Sequence, residues 1–327
     1  MVTSVAMSSA VSVARASSPP LVEKLRASVE HALEGKPEAV DLALTVLLAR
    51  GHLLIEDVPG VGKTTLARAL ATAVGGDWRR VQFTSDLLPS DVLGVSVLDP
   101  RTGEFTFRQG PVFCNVLLAD EVNRASPRTQ SALLEAMNEG QVSVEGATTP
   151  LPEPFFVVAT QNPQDFSGTF PLPESQLDRF MMRIRLGYPP PHIEARLFVS
   201  DAARAERPVP QAIDPAQLVS LQREVDRVEV DASLATYLQA VLQATRSSSA
   251  LTLGASPRAG LNLVRAARAR ALLRGRRYCI ADDIHDLAVP VLAHRVRLTA
   301  SSEGYLPSRE EQESAVRDLV ARVPIPL

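Results

Sequence analysis

The stretch His52 to Thr65, His-Leu-Leu-Ile-Glu-Asp-Val-Pro-Gly-Val-Gly-Lys-Thr-Thr, constrains this chain more than any other. Leu53, Leu54 and Ile55 make a short buried-strand signal, and Lys63-Thr64-Thr65 open a helix that continues as Leu66-Ala67-Arg68-Ala69-Leu70. Between them runs a tight loop containing Pro59, Gly60 and Gly62. Strand, glycine loop, Gly-Lys-Thr and helix form the context of a phosphate-binding loop. Backbone N–H groups of such a loop and of the first helical turn point at phosphate oxygens, and the helix dipole favours their charge. The candidate ATP-binding residues are Asp57, Val58, Pro59, Gly60, Val61, Gly62, Lys63, Thr64 and Thr65. Lys63 would reach the β- and γ-phosphates and the Thr64 hydroxyl would sit on Mg²⁺. One departure stands out: Asp57 occupies the place of the first glycine in G-x-x-x-x-G-K-[ST].

Strands alternate with helical segments up to about residue 187, which predicts an α/β core with a parallel sheet covered on both faces. Tyr188-Pro189-Pro190-Pro191 marks a boundary, and the pattern beyond it reads as entirely helical. The expected organisation is a disordered leader over 1–20, a core over 21–188 and a helical lid over 189–327. Two hairpins interrupt the core. One has Val92 to Leu98 and Phe105 to Phe107 about a Pro/Gly turn, and the other covers Gln141 to Leu151.

A net charge of −3 argues against a protein devoted to nucleic acid. Cys114 and Cys279 are too few for a disulfide framework or a metal-ligand cluster. No apolar run has the length of a membrane span, and residues 1–20 lack the basic start and apolar core of a signal peptide. These features predict a cytoplasmic protein.

Four further motifs carry candidate chemistry. Val116 to Ala119 is a buried strand ending in Asp120-Glu121. A carboxylate there faces the ligand crevice, so Asp120 can hold Mg²⁺ through water. Glu121 points elsewhere and can act on an attacking water. Val157 to Asn162 ends a second buried strand, where Asn162 either orients that water or, standing before Pro163, forms a turn. In Leu177-Asp178-Arg179-Phe180, Arg179 is either an arginine finger for a neighbouring subunit or a helix-end partner of Asp178 or Glu174. In Ser256-Pro257-Arg258, a cation in the first turn of a helix opposes the dipole, so Arg258 either answers an anionic partner or merely begins the basic run Arg265, Arg268, Arg270, Arg274, Arg276 and Arg277.

Together, Glu-Asp-Val-Pro-Gly-Val-Gly-Lys-Thr (56–64), Ala-Asp-Glu-Val-Asn-Arg-Ala (119–125), Ala-Thr-Gln-Asn-Pro (159–163) and Leu-Pro-Glu-Ser-Gln-Leu-Asp-Arg-Phe (172–180) resemble the MoxR family of AAA+ ATPases. The resemblance covers about residues 21–325 and makes Asp57 a family feature. It implies Walker A at Lys63 and Thr64, Walker B at Asp120 and Glu121, sensor 1 at Asn162, sensor 2 at Arg258 and an arginine finger at Arg179. The hairpins resemble the helix-2 and pre-sensor-1 inserts of that clade. It further implies a hexameric ring, ATP-driven chaperone-like remodelling of a protein client, and a partner with a von Willebrand factor A domain, often in metal-cofactor insertion. Two other functions remain open on the residues alone: a DNA-directed motor, and a nucleotide-gated binding module that hydrolyses weakly.

Overall fold

The computed structural model describes residues 19–162, 169–199, 208–299 and 308–326, so the leader expected over 1–20 lies almost wholly outside the described residues. The chain opens with helices α1 (Pro20–Ala32) and α2 (Pro37–Leu48), then β1 (Leu53–Glu56), α3 (Lys63–Ala73) and β2 (Trp78–Gln82). A short α4 (Pro89–Leu93) precedes the hairpin β3 (Gly94–Leu98) and β4 (Phe105–Gln109). Strand β5 (Val116–Asp120), α5 (Pro127–Glu139) and the hairpin β6 (Gln141–Val144) and β7 (Ala147–Pro150) follow. Strand β8 (Phe156–Gln161), α6 (Glu174–Leu177) and β9 (Met182–Ile184) complete the core.

Five strands form one parallel sheet in the order β2-β5-β8-β1-β9. Alternation of side chains along each strand sends residues to opposite faces. Leu53, Ile55, Val116, Leu118, Phe156 and Val158 enter one apolar cluster with α1, α2 and α3. Leu54, Leu117, Ala119, Val157 and Ala159 enter a second cluster with α5. Both faces are therefore covered, which is why β5 and β8 read as unbroken apolar runs.

The C-terminal part comprises α7 (Pro191–Val199), α8 (Pro215–Asp226), α9 (Ala232–Ser247), β10 (Leu251–Leu253), α10 (Pro257–Leu273), α11 (Ala281–Leu292), β11 (Arg297–Leu298) and α12 (Arg309–Ala321). It is a helical lid, but not an all-helical one, because β10 and β11 pair as an antiparallel ribbon. Segments this short carry no periodicity of their own. Pro89 to Leu93 also departs from expectation: Val92 and Leu93 lie in helix α4, started by Pro89, rather than in the hairpin strand. Among the described residues no helix is long and apolar enough to cross a membrane.

The lid packs along α2 and the β9 edge, and its buried side chains are continuous with the first cluster. Gln222 donates to the Leu47 carbonyl at 2.9 Å and Arg265 to the Ala49 carbonyl at 2.8 Å, satisfying carbonyls at the buried C-terminal end of α2. This packing fixes which end of the sheet each lid residue can reach.

Candidate nucleotide site

The loop between β1 and α3 follows the carboxyl end of β1, where open α/β sheets place their ligand crevice. Gly60 and Gly62 take φ values of 82° and 101°, conformations that favour glycine, whereas position 57 has no positive φ. A side chain is therefore tolerated there, and it is used. Asp57 is buried; its Oδ1 accepts from the Val58 N–H at 2.8 Å, and its Oδ2 accepts from the Leu186 and Gly187 N–H groups at 2.7 Å each. The Asp57 carboxylate thus straps the loop to the segment after β9, and its side chain faces that segment. Lys36, also buried, reinforces the strap by donating to the Val61 carbonyl at 2.7 Å and to the Gly187 carbonyl at 2.5 Å.

Lys63 opens α3 and donates to the Asp57 carbonyl at 2.6 Å. Burial lowers its pKa, while Asp120, Asp57 and Glu121 pull the other way. A desolvated ammonium near three acids and at a helix N-terminus fits a polyphosphate. Thr64 and Thr65 follow it, half-buried, in the first helical turn.

Asp120 and Glu121 stand at the end of β5. The Thr160 hydroxyl, fully buried on β8, donates to Asp120 Oδ1 at 2.5 Å and accepts the Glu121 N–H at 2.9 Å. Glu121 has φ 58°, the left-handed region, costly for a non-glycine residue. Strain of this kind concentrates at functional sites. The turn redirects the Glu121 side chain away from that of Asp120, so the two acids face different partners.

Those partners come from the edge strand β2. Arg80 reaches Asp120 Oδ2 at 2.7 Å, and the Gln82 amide donates to Glu121 Oε2 at 2.7 Å. Residues two apart on a strand share a face, and the register sets Gln82 beside Asp120. Arg124 adds an ion pair to Glu121 at 3.1 Å. Sequence reasoning missed Thr160, Arg80, Gln82 and Lys36. The available signals were one hydroxyl inside an apolar strand and polar side chains at alternate positions of β2.

Asn162 directly follows β8, half-buried, so the crevice lies within reach of its backbone position. The two remaining candidates lie elsewhere. Arg179 donates to the Leu134 carbonyl of α5 at 2.8 Å. Arg258 donates to Asn138 Oδ1 at 3.1 Å and lies 3.8 Å from Asp178 Oδ2. Asp178 and Glu174, the expected partners of Arg179, are taken by Arg295 at 2.7 Å and by Arg297. Met181 donates to the His52 carbonyl, and Leu53 pairs with Met182, so this cluster sits at the amino ends of β1 and β9. The phosphate loop is at the other end, about 13 Å away for a four-residue strand. Within one chain, the structure does not bring Arg179 or Arg258 to Lys63.

The donor set fits ATP with Mg²⁺: an ammonium and backbone N–H groups for phosphate, and a hydroxyl and a carboxylate, both hard oxygen donors, for the cation.

Residues 52–182 match the ATPase family associated with various cellular activities (AAA), and residues 243–319 match the AAA lid domain. The chain is 46% identical to protein YeaC of Bacillus subtilis over 94% of its own length and 96% of that protein. It is 41% identical to chaperone MoxR1 of Mycobacterium tuberculosis, covering 85% and 76%, and 34% identical to protein MoxR of Paracoccus denitrificans, covering 92% and 95%. A crystal structure from Cytophaga hutchinsonii superimposes with a TM-score of 0.84 at 34% identity, covering 94% and 95% of the two chains. The chain belongs to the MoxR family of AAA ATPases.

Proposed function

We propose that this protein hydrolyses ATP to ADP and phosphate and uses the reaction to remodel, assemble or load metal cofactor into a protein client, as a ring of identical subunits. The observation that carries the hydrolytic reading is the Thr160 bridge. It fixes Asp120 and Glu121 as two differently aimed acids beside the Lys63 loop. Walker A is assigned to the loop Asp57–Thr65, where Asp57 acts as a strap and the backbone and Lys63 hold phosphate. Thr64 and Asp120 would hold Mg²⁺, which when bound neutralises phosphate charge. Glu121 takes the proton of the attacking water and Asn162 orients that water.

The positions of Arg179 and Arg258 support a ring. Both are cations at the sheet end remote from their own phosphate loop, so the role assigned to them is toward the nucleotide of a neighbouring subunit. In that arrangement they stabilise charge developing on the transferred phosphoryl group. The core would extend over 21–188 and the lid over 189–327. The exposed apolar side chains of the first hairpin, Phe105, Leu98 and Val95, would meet the client. The chaperone role is supported by the name of the Mycobacterium tuberculosis relative. A partner with a von Willebrand factor A domain belongs to the same proposal.

Purified protein with ATP and Mg²⁺ is expected to release phosphate, and Lys63→Ala is expected to lose nucleotide binding. Retained affinity in Lys63→Ala would overturn the assignment of the loop.

A further inference from the structure

The C-terminal helix of the lid is bolted to the strand end that feeds the phosphate loop. Arg309 opens α12, a place where the helix dipole disfavours a cation. It is nevertheless buried. Its Nη1 donates to the main-chain carbonyls of Glu56 at 2.9 Å and Ile184 at 3.2 Å, and lies 3.4 Å from Glu56 Oε2. Its Nε donates to Glu313 at 2.5 Å. The same Glu56 Oε2 lies 3.2 Å from Nη1 of Arg183 on β9, whose Nη2 donates to Gln312 of α12 at 2.9 Å. Glu56 Oε1 accepts from the Gln161 amide at 3.1 Å.

Glu56 therefore ties together the ends of three neighbouring strands and the first turn of α12. It directly precedes the loop residue Asp57, and Gln161 directly precedes Asn162. Arg183 and Arg309 are buried and Glu56 is half-buried between them, a costly arrangement held only while their polar atoms are paired. The pairing has slack. Arg183 Nε is buried with no hydrogen-bond partner among the described residues, and the Arg309 contact to the Glu56 carboxylate is long. One carboxylate lies between two guanidinium groups, one of which has a donor to spare. The same Glu56 oxygen lies within reach of both guanidinium groups, so a small shift of either arginine changes which one it favours.

The geometry points to Glu56 as the positioning residue that couples the nucleotide state to the lid, by exchanging its carboxylate between Arg309 of α12 and Arg183 of β9. A shift of the β1 and β8 ends on loss of the γ-phosphate moves Glu56 and Gln161 together. That shift changes which arginine holds the carboxylate and so moves α12. This inference rests on nucleotide binding at the Lys63 loop, but not on hydrolysis.

The test is a distance measurement by electron paramagnetic resonance between spin labels at Ser314→Cys on α12 and Arg128→Cys on α5, both exposed positions. Cys114 and Cys279 are buried with thiols pushed up to about 12, so they stay unlabelled. The full-length protein is expected to show different distances with a non-hydrolysable ATP analogue and with ADP. Glu56→Gln is expected to show one distance for both, with turnover lowered about tenfold, a usual size for coupling between sites, and with nucleotide affinity little changed. Gln161→Met keeps both arginine pairings but removes the tie that makes the β8 end move with Glu56; should Glu56→Gln not fold, it is expected to diminish the nucleotide-dependent shift, and an undiminished shift there would overturn the inference. Arg309→Lys is expected to restore part of the shift that Arg309→Ala removes. Equal distances in the unmodified relay, or an undiminished shift in Glu56→Gln, would overturn the inference. A protein that shifts with nucleotide but releases no phosphate would overturn hydrolysis and leave the relay standing.

Discussion

The Thr160 hydroxyl donates to Asp120 Oδ1 at 2.5 Å while accepting the N–H of Glu121, so one side chain on β8 holds both acids at the end of β5. Thr160→Val keeps the shape but leaves a buried N–H and a carboxylate oxygen without that partner. Removing a partner from buried polar groups costs about 1–3 kcal/mol. The variant is expected to unfold at lower denaturant concentration by that amount. Its turnover is expected to fall more than its nucleotide affinity. Thr160→Ser is expected to recover both, and denaturant titration beside phosphate release checks the pair.

Acid sensitivity should come from two histidines. His52 accepts the Val157 N–H at Nδ1, so Nε2 carries the proton and donates to the Met137 carbonyl. Burial pushes its pKa down to about 4. His294 is buried with its Nδ1 unpaired among the described residues. Burial, and then Arg295 and Arg183, hold its pKa well below the usual value. Both stay neutral when folded, whereas in the unfolded chain each gains a proton near pH 6.5. Their effect is absent above that value, and stability falls as pH drops from about 6.5 towards 4. At pH 5, His52 alone should cost about 2 kcal/mol, from 1.36 kcal/mol per pKa unit. Denaturation midpoints at pH 7 and pH 5 measure it, and unchanged midpoints would contradict the burial of these rings as neutral groups.

Arg179 and Arg258 should act on a neighbour. Arg179→Ala and Arg258→Ala are each expected to bind nucleotide normally, with Arg179→Ala losing up to about 10³-fold in assembled turnover, the lower end for arginine fingers. Mixing either variant with Lys63→Ala should restore activity, because one subunit then supplies the loop and the other the arginine. Two inactive proteins that stay inactive when mixed would refute the trans role.

Much of the core was legible because β1, β5 and β8 are short apolar runs ending in chemistry-bearing residues. The alternation within them also predicts two covered faces. The β10–β11 ribbon was not, because its pairing partners lie far apart in sequence and each strand is two or three residues long. At position 57 the sequence revealed an unusual residue but not its direction; the backbone N–H groups of Leu186 and Gly187, far along the chain, decide that. Arg258 illustrates the same gap. Its place in a first helical turn pointed to an anionic partner, and Asp178 supplies one within the chain. Which end of the sheet α10 reaches depends on packing against α2, and no local pattern records that.

The central claim is that Glu121 activates water at a phosphate held by the Lys63 loop. The most direct measurement is phosphate release in single turnover by the unmodified protein and by Glu121→Gln, each with ATP affinity determined in parallel. The account predicts equal affinity and a release rate lowered by about 10²-fold or more in Glu121→Gln, the usual contribution of a general base. Equal release rates in the two proteins would contradict it.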